Sequence, residues 1–152
     1  MSQIEIRRAQ NSDFEDIYTF ICELENETFD RDQQKRILEE SLLNIKNVYL
    51  VASINQELVG FLSCHVQNLL HRNGPVGEIQ EMFISAEKRN LGIGKILIDH
   101  LKIISKENHF IQLEVTSNLR RKLAHNFYEK QGFIFTHKKF VFKDRTNHET
   151  EQ

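Results

Sequence analysis

The 152-residue sequence has two cysteines, one proline and almost no net charge, and each shortage removes a class of protein. Cys22 and Cys64 are too few and too far apart to brace a disulfide framework or to form a CxxC metal site. They read as small apolar side chains in a reducing compartment. The opening MSQIEIRRAQ lacks the apolar run of a signal peptide, and nowhere do the roughly 18 consecutive apolar residues of a membrane span occur. A cytoplasmic protein with no membrane partner is expected. A net charge of −2, from 20 Lys+Arg against 22 Asp+Glu, argues against nucleic acid as a partner bound by charge alone. No repeat occurs, and only residues 144–152 are polar enough to read as a frayed tail.

What is present fits one folded unit. At roughly 100 to 200 residues per domain, the length predicts a single domain over 1–143. With 39% hydrophobic residues, 11 of them Phe, the chain can bury a sizeable core. The small net charge hides an asymmetry: residues 1–87 carry 7 basic against 15 acidic side chains, and residues 88–152 carry 13 against 7. A function should account for two halves of opposite sign.

Periodicity supplies the elements. A short strand is predicted at 4–7, then a helix opened by Ser12 and Glu15 as a capping box, with Phe14, Ile17, Ile21 and Leu24 on one face. A second helix fits 32–45. Residues 48–54 and 58–67 read as a hairpin, 71–75 as a loop around Gly74 and the single proline, and 77–84 as a central strand apolar on both faces. Ile93, Leu97, Leu101 and Ile104 recur at helical spacing. A strand at 110–115, a helix at 123–131 and one or two closing strands over 133–142 complete the order. Hairpins mixed with crossovers predict an α/β (α+β) fold, helices around one sheet.

The turn between the central strand and the third helix is Arg89, Asn90, Leu91, Gly92, Ile93, Gly94, Lys95. Two glycines there let backbone N–H groups approach a ligand closely, and the free amides of a helix N-terminus favour a pyrophosphate. Arg89 and Lys95 would add charge. A Walker A loop needs four residues between its glycines and Ser or Thr after the Lys, but Ile96 follows Lys95. The dinucleotide fingerprint fails as well, with Leu97 at its third glycine position. ATP and NAD are weak candidates, and the bland alternative is a turn serving only the chain reversal.

This stretch resembles the signature of the GNAT superfamily of acetyltransferases: Arg or Gln, two residues, Gly, one residue, then Gly or Ala, after the fourth strand. Ala124, Phe127, Tyr128, Gly132 and Phe133 resemble its second signature. The resemblance implies a GNAT-type single, mixed, mainly antiparallel sheet of six to seven strands flanked by about four helices. It also implies acetyl-CoA as cosubstrate, its pantetheine arm beside the backbone of Met82 and Ile84 and its pyrophosphate on residues 90–95. Tyr128 falls at the family's general acid, the alternative being a buried aromatic with a satisfied hydroxyl. Asn118 falls near the family's cofactor-contacting polar residue, though at an uncommon spacing from Ala124.

Further stretches resemble one branch, the aminoalkylphosphonate N-acetyltransferases: IleCysGluLeu at 21–24, Phe29 with Asp30, GlyGluIleGlnGlu at 77–81, Ala124 with His125, and Thr136, His137 and Phe140. They imply transfer of an acetyl group to the primary amine of a small molecule. An acetyl-CoA-binding sensor without turnover and an N-acetyltransferase of proteins or peptides remain alternatives, and a homodimer stays open.

The base is sought in Glu78 and Glu81. In a regular strand their side chains leave on opposite faces, so both reach one site only through a β-bulge, which the family carries in this strand. Either carboxylate can instead hold a cationic amine. His65, His71 and Arg72 are candidates for binding the acceptor. With Glu78 the histidines are weak candidates for a divalent metal, against the plainer reading of hydrogen-bonded surface side chains. Arg120, Arg121 and Lys122 read as solvated charges or as contacts to a phosphate.

Overall fold

The computed structural model describes residues 3–117 and 122–144. Contacts gather in two compact units, the first ending at Val115 and the second starting at Thr116.

In the first unit five strands lie in sequence order: β1 (Ile4–Arg8), β2 (Val48–Ile54), β3 (Glu57–Leu69), β4 (Gly74–Ile84) and β5 (Gln112–Val115). Neighbours are antiparallel except β4 and β5, which are parallel and joined through helix α3 (Ile93–Glu107). Helices α1 (Phe14–Glu25) and α2 (Arg31–Leu43) follow β1.

The predicted hairpin is present, and its turn is tight: Asn55 and Gln56 both take positive φ, 51° and 68°, as a two-residue reversal requires. The loop expected at 71–75 is shorter. Asn73 turns with φ 58°, while Gly74 and Pro75 already pair with Leu69 and Asn68. Ser12 does not cap α1. Asp13 stands at the N-cap of α1 without a side-chain bond to that helix; its carboxylate closes the preceding 3-10 turn, Asn11–Asp13, accepting from the Gln10 N–H at 2.8 Å and from the two terminal guanidinium nitrogens of Arg7 at 2.8 Å. Arg7 therefore holds the Asp13 carboxyl below the usual carboxylate range. At α2, the Asp30 carboxylate accepts from the Gln33 N–H.

Two cores sandwich the sheet. Phe14, Ile17, Phe20 and Leu38 of α1 and α2 pack on Tyr49, Val51, Phe61 and Phe83. Ile93, Leu97, Ile98 and Leu101 of α3 are buried beneath the other face, where Ile93 and Ile84 crowd Gly60. Gly77 is required there by close approach, since a Cβ would meet Leu113, Cys64 and Phe110 at 2.9 to 3.0 Å. Burial pushes the Cys64 thiol up to about 12, so this cysteine is a core side chain.

The second unit contains α4 (Lys122–Lys130) and the chain to residue 144. Phe133 N–H returns to the Tyr128 carbonyl and Gly132 takes φ 93°, closing the helix. The one or two strands expected over 133–142 are not formed, so the described residues hold five strands rather than six to seven. Alternating apolar residues make a strand only where another backbone offers hydrogen bonds, and Phe140 and Phe142 are 93% and 94% exposed. Asn118, Arg120, Arg121 and residues 145–152 of the expected tail lie outside the described residues.

Candidate active site

The turn expected to hold a pyrophosphate is built by main chain. After β4 and a short 3-10 turn at Ala86–Lys88, Asn90 and Gly92 take positive φ, 66° and 81°, and Gly92 caps α3. The first helical bond runs from Ile96 N–H to the Gly92 carbonyl. The amides of Ile93, Gly94 and Lys95 therefore have no backbone partner among the described residues, and a glycine cap brings no side chain to cover them. They lie at the positive end of a 15-residue helix. The two flanking cations are engaged locally: Lys95 pairs with Asp99 at 2.6 Å, and Arg89 Nε donates to the Ile84 carbonyl at 3.2 Å. Met82 pairs with Leu62 in the ladder and Ile84 with Gly60.

The parallel pairing of β4 with β5 covers only Val76 to Ile79. From Glu81 to Ile84 β4 keeps its β3 partner, while β5 ends at Val115 opposite Ile79, so this end of β4 has no β5 residue beside it. A bulge lies where β5 ends. Ser63 lies opposite Glu81 and Cys64 opposite Ile79, which leaves Gln80 as the extra residue. The bulge resets the alternation, and Glu78 and Glu81 consequently leave β4 on the same face as Ser63, His65 and Tyr49.

On that face the side chains are tied together. Ser63 Oγ donates to Glu81 Oε1 at 2.6 Å and accepts from the Glu81 N–H at 3.0 Å. The Tyr49 hydroxyl and His65 Nε2 are 2.6 Å apart, with the two rings stacked. Burial pushes the Glu81 carboxyl above the ordinary carboxylate range, against the lowering pull of the Ser63 hydroxyl and His65. Glu81 lines a small cavity of about 50 Å³ among Phe14, Tyr18, Leu38, Tyr49 and Phe61. His65, Gln67, Glu78, Gln80 and Glu114 line a more polar cleft of about 300 Å³ next to it on β3, β4 and β5.

His71 and Arg72 do not line either space. They belong to the 3-10 turn Leu70–Arg72 between β3 and β4, where Arg72 Nε is buried with no hydrogen-bond partner. Among the described residues no three His, Cys, Asp or Glu side chains gather as metal ligands. Tyr128 stands in α4 of the second unit, its ring edge-on to Phe127 and Phe133. Tyr49, Ser63 and Glu114 were not singled out by the sequence. The signal for Ser63 was a polar residue inside the apolar run from Leu58 to Cys64, but only the register shows what it meets.

The acetyltransferase (GNAT) family matches residues 8–133. The chain belongs to that family. It is therefore an acetyl-CoA-dependent N-acetyltransferase, and among its described residues no helix is long and apolar enough to cross a membrane. An aminoalkylphosphonate N-acetyltransferase from Salmonella typhimurium is 31% identical over 93% of this chain and 92% of its own length. Two solved structures share the fold. A transcriptional regulator from Bacillus halodurans superposes with a TM-score of 0.86 at 23% identity, covering 93% of this chain and 100% of that one. An aminoglycoside N-acetyltransferase in complex with CoA superposes with 0.85 at 16%, covering 95% and 97%.

Proposed function

We propose that this acetyltransferase acts on the primary amine of a small molecule, with an aminoalkylphosphonate as the leading candidate, and that Glu81 is the base. The observation that carries the reading is the half-buried Glu81 carboxylate, held by Ser63 at the bulge beside the end of β5. An ammonium must lose a proton before its nitrogen can attack, and a carboxylate whose proton affinity is raised by burial accepts one more readily. The amine nitrogen then bonds to the thioester carbonyl carbon and the C–S bond breaks. The departing thiolate takes a proton from Tyr128, the residue at the family's usual general acid, and the second proton shed by the acylated nitrogen restores the phenol through solvent.

The turn 89–95 would hold the pyrophosphate through the amides of Ile93, Gly94 and Lys95. Main-chain groups of Met82 and Ile84 lie on the part of β4 without a β5 neighbour, which suits an extended pantetheine arm. Glu78, His65 and Glu114 line the cleft next to Glu81 and would receive the acceptor. Two carboxylates there favour a cationic amine. The candidate phosphonate is supported by the 31% relative's own name.

Incubation with acetyl-CoA and 2-aminoethylphosphonate, aminomethylphosphonate, polyamines and peptides, read by thiol release and product mass, tests the reading. The expected result is amine-dependent thiol and a singly acetylated aminoalkylphosphonate. Acetylated peptides with untouched phosphonates would overturn the substrate class, and saturable acetyl-CoA binding without thiol from any amine would overturn turnover itself.

A further inference from the structure

We propose that Ser63 is a positioning residue for acetyl transfer: its hydroxyl fixes both the backbone and the carboxylate of Glu81, so that one carboxylate oxygen is presented to the acceptor. The inference rests on the reading of Glu81 as the base. Ser63 is fully buried in β3, 0% exposed, in a run that is otherwise apolar from Leu58 to Cys64. A hydroxyl without a partner there would be costly, so its placement needs a reason.

The reason is the bulge. The extra residue, Gln80, disrupts the β3–β4 ladder at this point, and the Ser63 hydroxyl takes the Glu81 N–H at 3.0 Å. The same oxygen donates its proton to Glu81 Oε1 at 2.6 Å. A rotation of either side chain breaks this bond, and the fully buried Ser63 hydroxyl has no access to water to replace it. Among the described residues Glu81 Oε2 has no hydrogen-bond partner and remains the oxygen for an incoming proton.

The groups around Glu81 are named by element. Tyr18 and Glu25 come from α1, Tyr49 from β2, His65 from β3 and Glu78 from β4 itself, while α2 contributes the neutral Gln34, Ile37 and Leu38. Ser63 alone makes a direct hydrogen bond to the carboxylate among the described residues. A hydroxyl donating to a carboxylate favours its charged form and opposes the effect of burial. Loss of the hydroxyl should therefore raise the pH at which the base becomes competent.

The test compares Ser63→Ala, Ser63→Cys and Glu81→Gln. Folding is checked by circular dichroism and acetyl-CoA binding, and Ser63→Cys keeps the volume if the alanine variant fails to fold. Carbon-13 NMR of glutamate-labelled protein gives the Glu81 titration, with the resonance assigned by its absence in Glu81→Gln. Profiles of kcat/KM against pH with 2-aminoethylphosphonate give the acidic limb.

In Ser63→Ala the Glu81 midpoint and the limb should move up together, and kcat should fall on the order of tenfold with KM nearly unchanged, as expected when a catalytic group loses its orientation. Ser63→Cys, a weaker donor, should fall between. An acidic limb that survives Glu81→Gln would overturn the base reading. A Glu81→Gln variant without the limb, beside a Ser63→Ala variant whose limb and NMR midpoint stay in place, would overturn the role of Ser63. Should 2-aminoethylphosphonate not be acetylated, the NMR midpoint decides alone: an upward shift supports the role, and an unmoved midpoint overturns it.

Discussion

At the turn 89–95 the groups proposed to meet a ligand are main-chain amides, fixed by Gly92 and the first turn of α3. The register of two ladders governs the other region, where Glu81, Ser63, His65 and Tyr49 meet as side chains from three strands. The first region depends on local conformation, so its pattern tolerates almost any neighbours outside the loop. The second depends on one extra residue at Gln80. Without that bulge Glu78 and Glu81 would leave opposite faces of β4, and one would point into the α3 core. The proposed binding and acid–base chemistry would thus be built by different physical means on one strand and the turn that ends it.

The comparison predicts separable losses. Glu81→Gln should lower kcat/KM by about 100- to 1,000-fold, the scale of a positioned general base, while the acetyl-CoA Kd stays near wild type. In the wild-type protein the acidic limb should lie above the ordinary glutamate value of about 4.3, with activity present above the limb and lost below it, because burial raises the Glu81 carboxyl. Equal loss of acetyl-CoA affinity in Glu81→Gln would show that the two regions are not separate.

Tyr128→Phe should lower kcat by about 100-fold with acetyl-CoA binding retained, because only proton donation to the thiolate is removed. An unchanged kcat would remove Tyr128 from the mechanism. Gly92→Val reverses the pattern. A branched residue at φ 81° costs about 1 to 2 kcal/mol and displaces the amides behind it, so calorimetry should find acetyl-CoA affinity about tenfold weaker. The slope of the acidic limb should be unaltered, since Glu81 and Ser63 lie on the preceding strand and its neighbour.

The smallest effect tests the frame that carries α1 to the Glu81 side of the sheet. Asp13→Asn should lower stability by about 1 kcal/mol, discounted because Arg7 is 45% exposed. The sign follows from the lowered Asp13 carboxyl: its contribution is complete above the unfolded value of about 3.9 and is lost as pH falls through the folded value. Melting curves of both proteins between pH 6 and about pH 2 should therefore converge at the acid end.

Much of the frame was legible in local pattern. The hairpin 48–54 with 58–67, the amphipathic stripes of α1 and α3 and the turn 89–95 are set by residues near one another in the chain, and the structure has them where periodicity predicts them. Caps were less legible. Neither Ser12 nor Asp13 bonds α1 through its side chain, because the Asp13 carboxylate is taken by Arg7, on the strand before, and by the Gln10 N–H. The strands expected over 133–142 failed for a related reason, since Phe133, Phe135 and Phe140 have the right composition but composition supplies no hydrogen-bond partner.

By itself the sequence determined the turn 89–95, because a glycine cap and free helix amides are properties of a few adjacent residues. It also named Glu78 and Glu81 and stated the condition under which both could face one site. Tertiary structure decided that condition. Only the pairing of Ser63 with Glu81 and Cys64 with Ile79 shows that Gln80 is the extra residue, since a bulge is a mismatch between two strands and neither strand encodes it alone.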